Sequence, residues 1–247
     1  MPSTSTYIPS KVYKQQLLFD AFQSITGVTA VWPMMRAGNL VASVSGGFSR
    51  YLSETLGTGA IAYGRHTSGG PYMAKSGTSY LYAADAAWNS PTGELSFAGY
   101  VKFDAVADSV NVSGIVAKWD SATNNRAFNL QRTAAGTLGF SVTPDGTSAA
   151  AKGVLTSATI GTSWTFVAAR YTPSTEMKVW VNTSVGAGST TIPAAIYDST
   201  TALQIGIFSG SVGPLVGQIG VFGMYAAALP DATITSLYNA TKEFYGL

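Results

Sequence analysis

A two-residue hydrophobic period constrains this chain more than any other feature. Leu95, Phe97, Gly99, Val101 and Phe103 alternate with Ser96, Ala98, Tyr100 and Lys102. Met177, Val179 and Val181 alternate with Lys178, Trp180 and Asn182, and Leu203, Ile205 and Ile207 alternate around Gln204 and Gly206. Leu215, Gly217, Ile219, Val221 and Gly223 repeat the pattern. One residue in and one out fits strands with one covered face. Turn residues punctuate them at Thr143-Pro144-Asp145-Gly146, Thr172-Pro173-Ser174 and Gly210-Ser211-Val212-Gly213-Pro214. Many short strands with regular turns indicate an antiparallel sandwich or barrel. No helix-length periodic segment separates the strands, which argues against an alternating α/β parallel sheet. The 247 residues fall in the range of about 200–250 that all-β sandwiches fill as one domain.

The first 56 residues read differently. Residues 1–10 are polar, contain Pro2 and Pro9, and read as an arm. Ser10 can cap a helix in which Leu18, Phe22 and Ile25 form one apolar stripe, flanked by Leu17 and Ala21, with Gly27 as a stop. A helix of this length needs something to pack on. Two partners are open to the stripe: its own sandwich, or a neighbouring subunit, in which case Leu18, Phe22 and Ile25 are assembly residues. Residues 28–58 are mixed and Gly-rich, and their pattern resolves neither a linker nor an arm with short strands. The expected division is therefore an arm with an amphipathic helix and an irregular segment at 1–56, and a β-sandwich at 57–247. Near the end, Asp231 can cap a short helical turn with Ile234, Leu237 and Tyr238 on one face.

Charge narrows the function. Only 11% of residues are charged, against 46% hydrophobic, where soluble proteins average about 25% charged. The polar surface must come from Ser, Thr, Asn, Gln and backbone. Net charge is +2 with no basic run, so a nucleic-acid partner, which requires clustered Lys and Arg, is not expected. Cysteine is absent and His66 is the one histidine, which argues against thiolate metal sites and a zinc enzyme. The N-terminus lacks the basic and apolar regions of a secretion signal, and no stretch reaches the ~20 apolar residues of a membrane span. The expectation is folding in a cytoplasm, with no membrane partner.

These segments, taken in order, resemble the laminin-G-like, concanavalin A-like lectin/glucanase jelly roll. Ser79–Tyr82 and Pro91–Lys102 look like its opening strands, and Gly114–Asp120, Ala127–Leu130 and Leu138–Val142 look like the next three. Trp164–Tyr171 is similar to the family's Trp-hydrophobic-Val-Ala strand. Met177–Asn182 looks like its hairpin partner, although Thr183 stands where the family's turn glycine is expected. Leu203–Gly206, Gly217–Phe222 and the segment from Ala228 to Asn239 resemble the closing strands and terminal helical turn. The likeness covers about residues 59–247 and implies sugar binding, protein binding, glycan hydrolysis or a structural role in cell surfaces and virus particles. Fold alone does not choose among these.

Hydrolysis requires two carboxylates at a controlled separation, which the family's hydrolases carry as Glu-x-Asp-x-x-Glu. Here the acids are scattered, and no strand carries two of them two residues apart. No base-supported nucleophile is evident around His66, and no Gly-x-Ser-x-Gly elbow exists. Gly69–Ser76 imitates a phosphate-binding loop with Ala74 in place of a glycine, but a turn and strand follow where that loop requires a helix. Calcium, common in the family, finds no convincing cluster of acids, so no cofactor or metal is expected. The remaining candidates are aromatic. Trp119 with Asn124, Asn125 and Arg126 could form a carbohydrate platform; the competing reading makes Trp119, like Tyr100, Trp180 and Phe222, part of the core.

The absent secretion signal, the charge-poor Gly/Ser/Thr/Ala-rich surface and the arm before a compact sandwich lead to one expected function. It is a non-enzymatic structural protein of a virus particle: a phage capsid decoration or tail component, self-associating and bound to other virion proteins. Such a protein would be assembled in the host cytoplasm and located in the virion. The alternative is a carbohydrate-binding module that attaches to host glycans.

Overall fold

The computed structural model describes residues 11–37, 40–41, 50–55, 57–106, 112–187, 191–210 and 212–247. The arm at 1–10, with its capping Ser10, lies outside them. Helix α1 (Lys11–Gln23) comes first. Strands follow in chain order: β1 (Val28–Trp32), β2 (Arg36–Ala37), β3 (Leu40–Val41), β4 (Leu52–Thr55), β5 (Ile61–Arg65), β6 (Pro71–Lys75), β7 (Tyr80–Ala83), β8 (Leu95–Phe103) and β9 (Ser113–Asp120). Then come β10 (Asn125–Arg132), β11 (Thr137–Val142), β12 (Lys152–Thr159), β13 (Thr165–Thr172), β14 (Glu176–Val181), β15 (Ser184–Ala187), β16 (Leu203–Ile205) and β17 (Gly217–Tyr225). Helix α2 (Asp231–Thr241) and a 3-10 turn at Lys242–Tyr245 close the chain. Among the described residues, no helix is long and apolar enough to cross a membrane.

Two antiparallel sheets result. The first runs β15-β14-β13-β8-β17-β6-β5, with β1 also paired to β17. The second runs β12-β11-β10-β9-β16-β7-β4-β3-β2. Leu95, Phe97, Val101 and Phe103 from β8 face the interior, where they join Phe128, Leu130 and Phe140 from the second sheet. Phe97 lies 5.3 Å from Phe128 and 6.1 Å edge-on from Phe140. Alternation therefore places the core between the sheets, as a sandwich requires.

The outward face of the first sheet is also covered. Tyr100, Phe166, Trp180 and Tyr225 lie in a second apolar cluster with Leu18, Phe19 and Phe22 of α1 and with Ile234 and Leu237 of α2. The molecule thus has three layers, two helices lying on a sandwich. Leu18 and Phe22 are fully buried and Ile25 packs against the same cluster. Tyr225 Oη donates to the carbonyl of Phe22 at 3.2 Å, so one of the orphan carbonyls at the helix end is satisfied by the sheet beneath it. This corrects the assembly reading of the stripe: Leu18 and Phe22 are spent on their own sandwich and offer no apolar surface to a neighbour.

The division at residue 56 is corrected as well. Val31 pairs with Gly223 and Trp32 with Phe222, while Ser53 pairs with Tyr82 and Glu54 with Leu81. Strands on both sides of the expected boundary share sheets, so the described N-terminal residues are part of the sandwich. Helix α1 ends at Gln23, before Gly27, whose φ of +80° turns the chain into β1. At the other end the cap of α2 is Pro230, and Asp231 is the first helical residue. Asp231 instead meets Arg170 Nη1 at 2.6 Å and Lys178 Nζ at 3.1 Å, tying the helix start to the first sheet.

The β14–β15 turn forms without its glycine. Val181 pairs with Ser184, leaving Asn182 and Thr183 as the two turn residues. Asn182 takes φ +53°, a left-handed conformation asparagine tolerates better than most residues. Its Oδ1 accepts the Phe166 N–H at 3.0 Å.

Candidate functional site

The residues expected to form a platform do come together, in the β9–β10 hairpin. Trp119 pairs in register with Arg126. The Arg126 guanidinium lies 5.8 Å from the Trp119 ring centre, and Phe208 lies 6.0 Å away on a loop folded against it. That loop is pinned by the Ser121 N–H to Ser209 Oγ (2.9 Å) and by the Gly210 N–H to Gln204 Oε1 (3.2 Å). Trp119 is only 7% exposed. Arg126 donates to Asn124 Oδ1 (3.2 Å), the Gly146 carbonyl (3.3 Å) and the Ser121 carbonyl (2.8 Å). Asn125 donates to Thr200 Oγ1 at 3.0 Å and accepts the Thr200 N–H at 3.1 Å. The ring is covered, Arg126 is held by Asn124 and two carbonyls, and Asn125 is held by Thr200. This hairpin is a structural corner, which corrects the open-platform reading of Trp119, Asn124, Asn125 and Arg126. Tyr100, Trp180 and Phe222 are core residues too.

The phosphate-loop imitation dissolves in the same way. Residues 71–75 are strand β6, and Lys75 points into the protein, donating to the carbonyl of Leu215 and, at 3.4 Å, to that of Gly77. Burial without a carboxylate partner pushes its pKa down to about 8. Two carboxylates, Glu176 and Asp231, both engage Arg170 and Lys178. Such a bridged quartet ties elements together and leaves no free acid/base pair. Among the described residues, no three His, Cys, Asp or Glu gather as a metal site.

A cleft of about 500 Å³ opens where the helical layer stops covering the first sheet. Its floor is built by the outward positions of three adjacent strands. Lys102 of β8 pairs with Gln218 of β17, and Tyr72 of β6 pairs with Gly220 of β17. Gly220 is required there: a Cβ would sit 2.5 Å from Tyr245 Oη. Tyr245 is thereby laid against the sheet, donating to the Pro71 carbonyl and accepting the Val221 N–H, both at 2.8 Å. Its burial drives its pKa upward, so it stays a neutral phenol.

An aromatic wall rises from that floor. Trp164 lies 4.7 Å from Tyr245, 5.9 Å from Tyr72 and 6.4 Å edge-on from His66, measured between ring centres. Trp164 backs the wall at 7% exposure, while Tyr72 and His66 are partly exposed to the cleft. The Ser68 N–H donates to His66 Nδ1 at 3.2 Å, which leaves the ring proton of the neutral form on Nε2. Arg65, Thr67, Thr162 and Ser163 complete the rim, all exposed. Ring faces beside amide, hydroxyl and cationic donors can stack on a saccharide ring and hydrogen-bond its hydroxyls.

Sequence reasoning missed this site. Alternation placed Lys102 opposite the apolar stripe of β8 and Gln218 opposite that of β17, which were the local signals. Tyr72, Trp164, His66 and Tyr245 come from segments far apart in sequence, and only the fold brings them together.

A family model described as the concanavalin A-like lectin/glucanases superfamily matches residues 75–235. Solved structures share the fold at low identity. The botulinum neurotoxin type C structure reported with the dependence of cell entry on two ganglioside molecules aligns with TM-score 0.64 and 14% identity, over 86% of this chain and 51% of that one. The serotype D ligand-binding domain in complex with N-acetylneuraminic acid aligns with TM-score 0.65 and 12% identity, over 89% and 52%. The serotype G binding domain aligns with TM-score 0.63 and 10% identity, over 85% and 50%. This chain spans about half the length of those structures, so the likeness is one of fold, and their titled ligands belong to them. No curated protein sequence matches the chain.

Proposed function

The chain belongs to the concanavalin A-like lectin/glucanase superfamily, and from that premise we propose that it is a non-enzymatic glycan-binding module whose site is the Tyr72–Trp164 cleft. The observation that carries this is the cleft itself. Aromatic side chains, hydrogen-bond donors and about 500 Å³ of volume meet on the outer face of the first sheet. Glycoside hydrolysis requires a carboxylate pair, and no Asp or Glu side chain lines this cleft. Binding without turnover is the chemistry its residues support. The solved relatives titled with ganglioside and N-acetylneuraminic acid add weight to a glycan as the ligand class.

The test is a glycan array probed with the full chain, repeated with Tyr72→Ala. Tyr72 is partly exposed, so its loss removes ring surface without opening the core. Binding to a defined set of glycans, weakened about tenfold by the substitution, is the expected result; one stacked aromatic contributes about 1 kcal/mol or more. Absence of binding across a broad array, with a folded protein, overturns the reading.

The wider role we propose is a surface component of a virus particle, acting in attachment and associating with copies of itself. What supports it is the charge-poor composition, 11% charged with 46% hydrophobic residues, which suits a surface largely covered by neighbours. Light scattering on the full chain tests it. A defined oligomer is expected, and a monomer at high concentration contradicts it.

A further inference from the structure

Two cations line the cleft without an ion pair among the described residues. Lys102 and Arg65 make no ion pair and no side-chain hydrogen bond with the described residues, and no Asp or Glu side chain lines the space they share. Three other cations of the described chain are held in ion pairs. Lys118 is paired to Asp85 at 2.6 Å, and Arg170 and Lys178 are held by Glu176 and Asp231. In a protein with so few charges, unpaired cations flanking an aromatic wall form a local positive field. His66 adds an Nε2–H donor to the same wall.

We infer that the cleft selects anionic saccharides, sugars carrying a carboxylate, with Lys102 and Arg65 receiving the charge while Tyr72 stacks on the ring. This rests on the cleft being the glycan site and adds the ligand's chemical class. Charge-assisted hydrogen bonds are about twice as strong as neutral ones, and a guanidinium fork matches a planar carboxylate bidentately. Lys102 stands on a strand inside the sheet beside Gln218, so its position is set by backbone pairing. Arg65 ends the edge strand β5, in register with Pro71, on the opposite side of Tyr72. In the order of the sheet, strand β6 of Tyr72 lies between β8 of Lys102 and β5 of Arg65.

The test uses matched oligosaccharides of galacturonate, glucuronate and sialic acid, each as the free acid and as its methyl ester. The ester keeps the skeleton and removes the charge. Binding to the full chain is measured by calorimetry at about 50 and 500 mM salt, a range over which screening shortens steeply. A sulfated oligosaccharide separates planar from tetrahedral anions, and an adenosine nucleotide serves as a non-saccharide anion. Expected is at least one acid bound about tenfold more tightly than its ester at low salt, with the preference shrinking at high salt. Lys102→Gln should cost that acid about five- to tenfold and cost its ester less, at an unaltered melting temperature. Equal binding of every acid and its ester, or a preference that survives Lys102→Gln together with Arg65→Gln, overturns the inference while the glycan reading stands. Tighter binding of the nucleotide or the sulfated probe than of any carboxylate also overturns it. No saccharide binding at all removes both.

Discussion

Lys75 carries a charge in an environment that disfavours it. It is 3% exposed and its cationic form is held only by backbone carbonyls. Its folded pKa of about 8 lies below the ordinary 10.5, so between those values the unfolded chain binds more protons. Stability from this group therefore rises with pH across that window and is lowest below it. Lys75→Met, similar in shape and uncharged, should gain most over the parent near pH 7. By pH 9 the gap should close by about 1 kcal/mol. Urea titrations of both proteins at the two pH values check this; a gap that stays constant means the amine titrates normally. Asn182 carries a second residue-scale prediction. Asn182→Ala loses both a tolerated left-handed residue and the bond to Phe166 N–H, and should cost about 1–2 kcal/mol. Asn182→Gly, which keeps the conformation and loses only the bond, should cost less. Thermal unfolding separates the two, and equal losses contradict the conformational part of the argument. Asparagine's tolerance of positive φ explains why a turn that lacks its expected glycine still closes in two residues.

At the scale of elements, the helical layer decides what the outer face of the first sheet can do. Phe22→Ala opens a cavity between α1 and Tyr225 and should cost about 3–5 kcal/mol, measured by chemical denaturation; a loss below about 1 kcal/mol would mean the helix is not docked as described. Removing residues 1–56 deletes α1 and strands β1 to β4, and with α1 the cover over Tyr225. The expected product is aggregated or binds hydrophobic dye, and a soluble fragment that melts cooperatively contradicts the three-layer account. The long strands were readable from sequence because each offers several periods of alternation: β8, β14 and β17 were found nearly at their bounds. The strands between residues 28 and 55 were not, because runs of two to five residues among glycines show too little periodicity to count. Tyr100 and Trp180 sit on the polar half of their stripes yet are buried, since alternation reports one covered face and cannot announce a second layer of helices. Asp231 was read as a cap, but Arg170 and Lys178, more than fifty residues away, claim its carboxylate.

At the scale of the whole molecule, the expected and observed sites differ for a physical reason. Trp119, Asn124, Asn125 and Arg126 are neighbours in sequence and suited to sugar contact by type, and folding covers the ring and engages Asn125 and Arg126 with Thr200, Asn124 and nearby carbonyls. The cleft gathers Arg65, His66, Tyr72, Lys102, Trp164, Gln218 and Tyr245 from both halves of the chain, and the Arg65 and Lys102 side chains form no ion pair with the described residues. Lys102 and Gln218 alone of these lie on the polar half of a stripe the sequence shows. The central claim is that glycans bind at this cleft, and steric blocking tests it most directly. Ser163 is exposed on the rim, so Ser163→Trp fills the cleft without disturbing the core. With a glycan identified on the array, calorimetry on the parent and on Ser163→Trp should show binding abolished at an unchanged melting temperature. Undiminished binding by the blocked protein would place the glycan elsewhere and contradict the account.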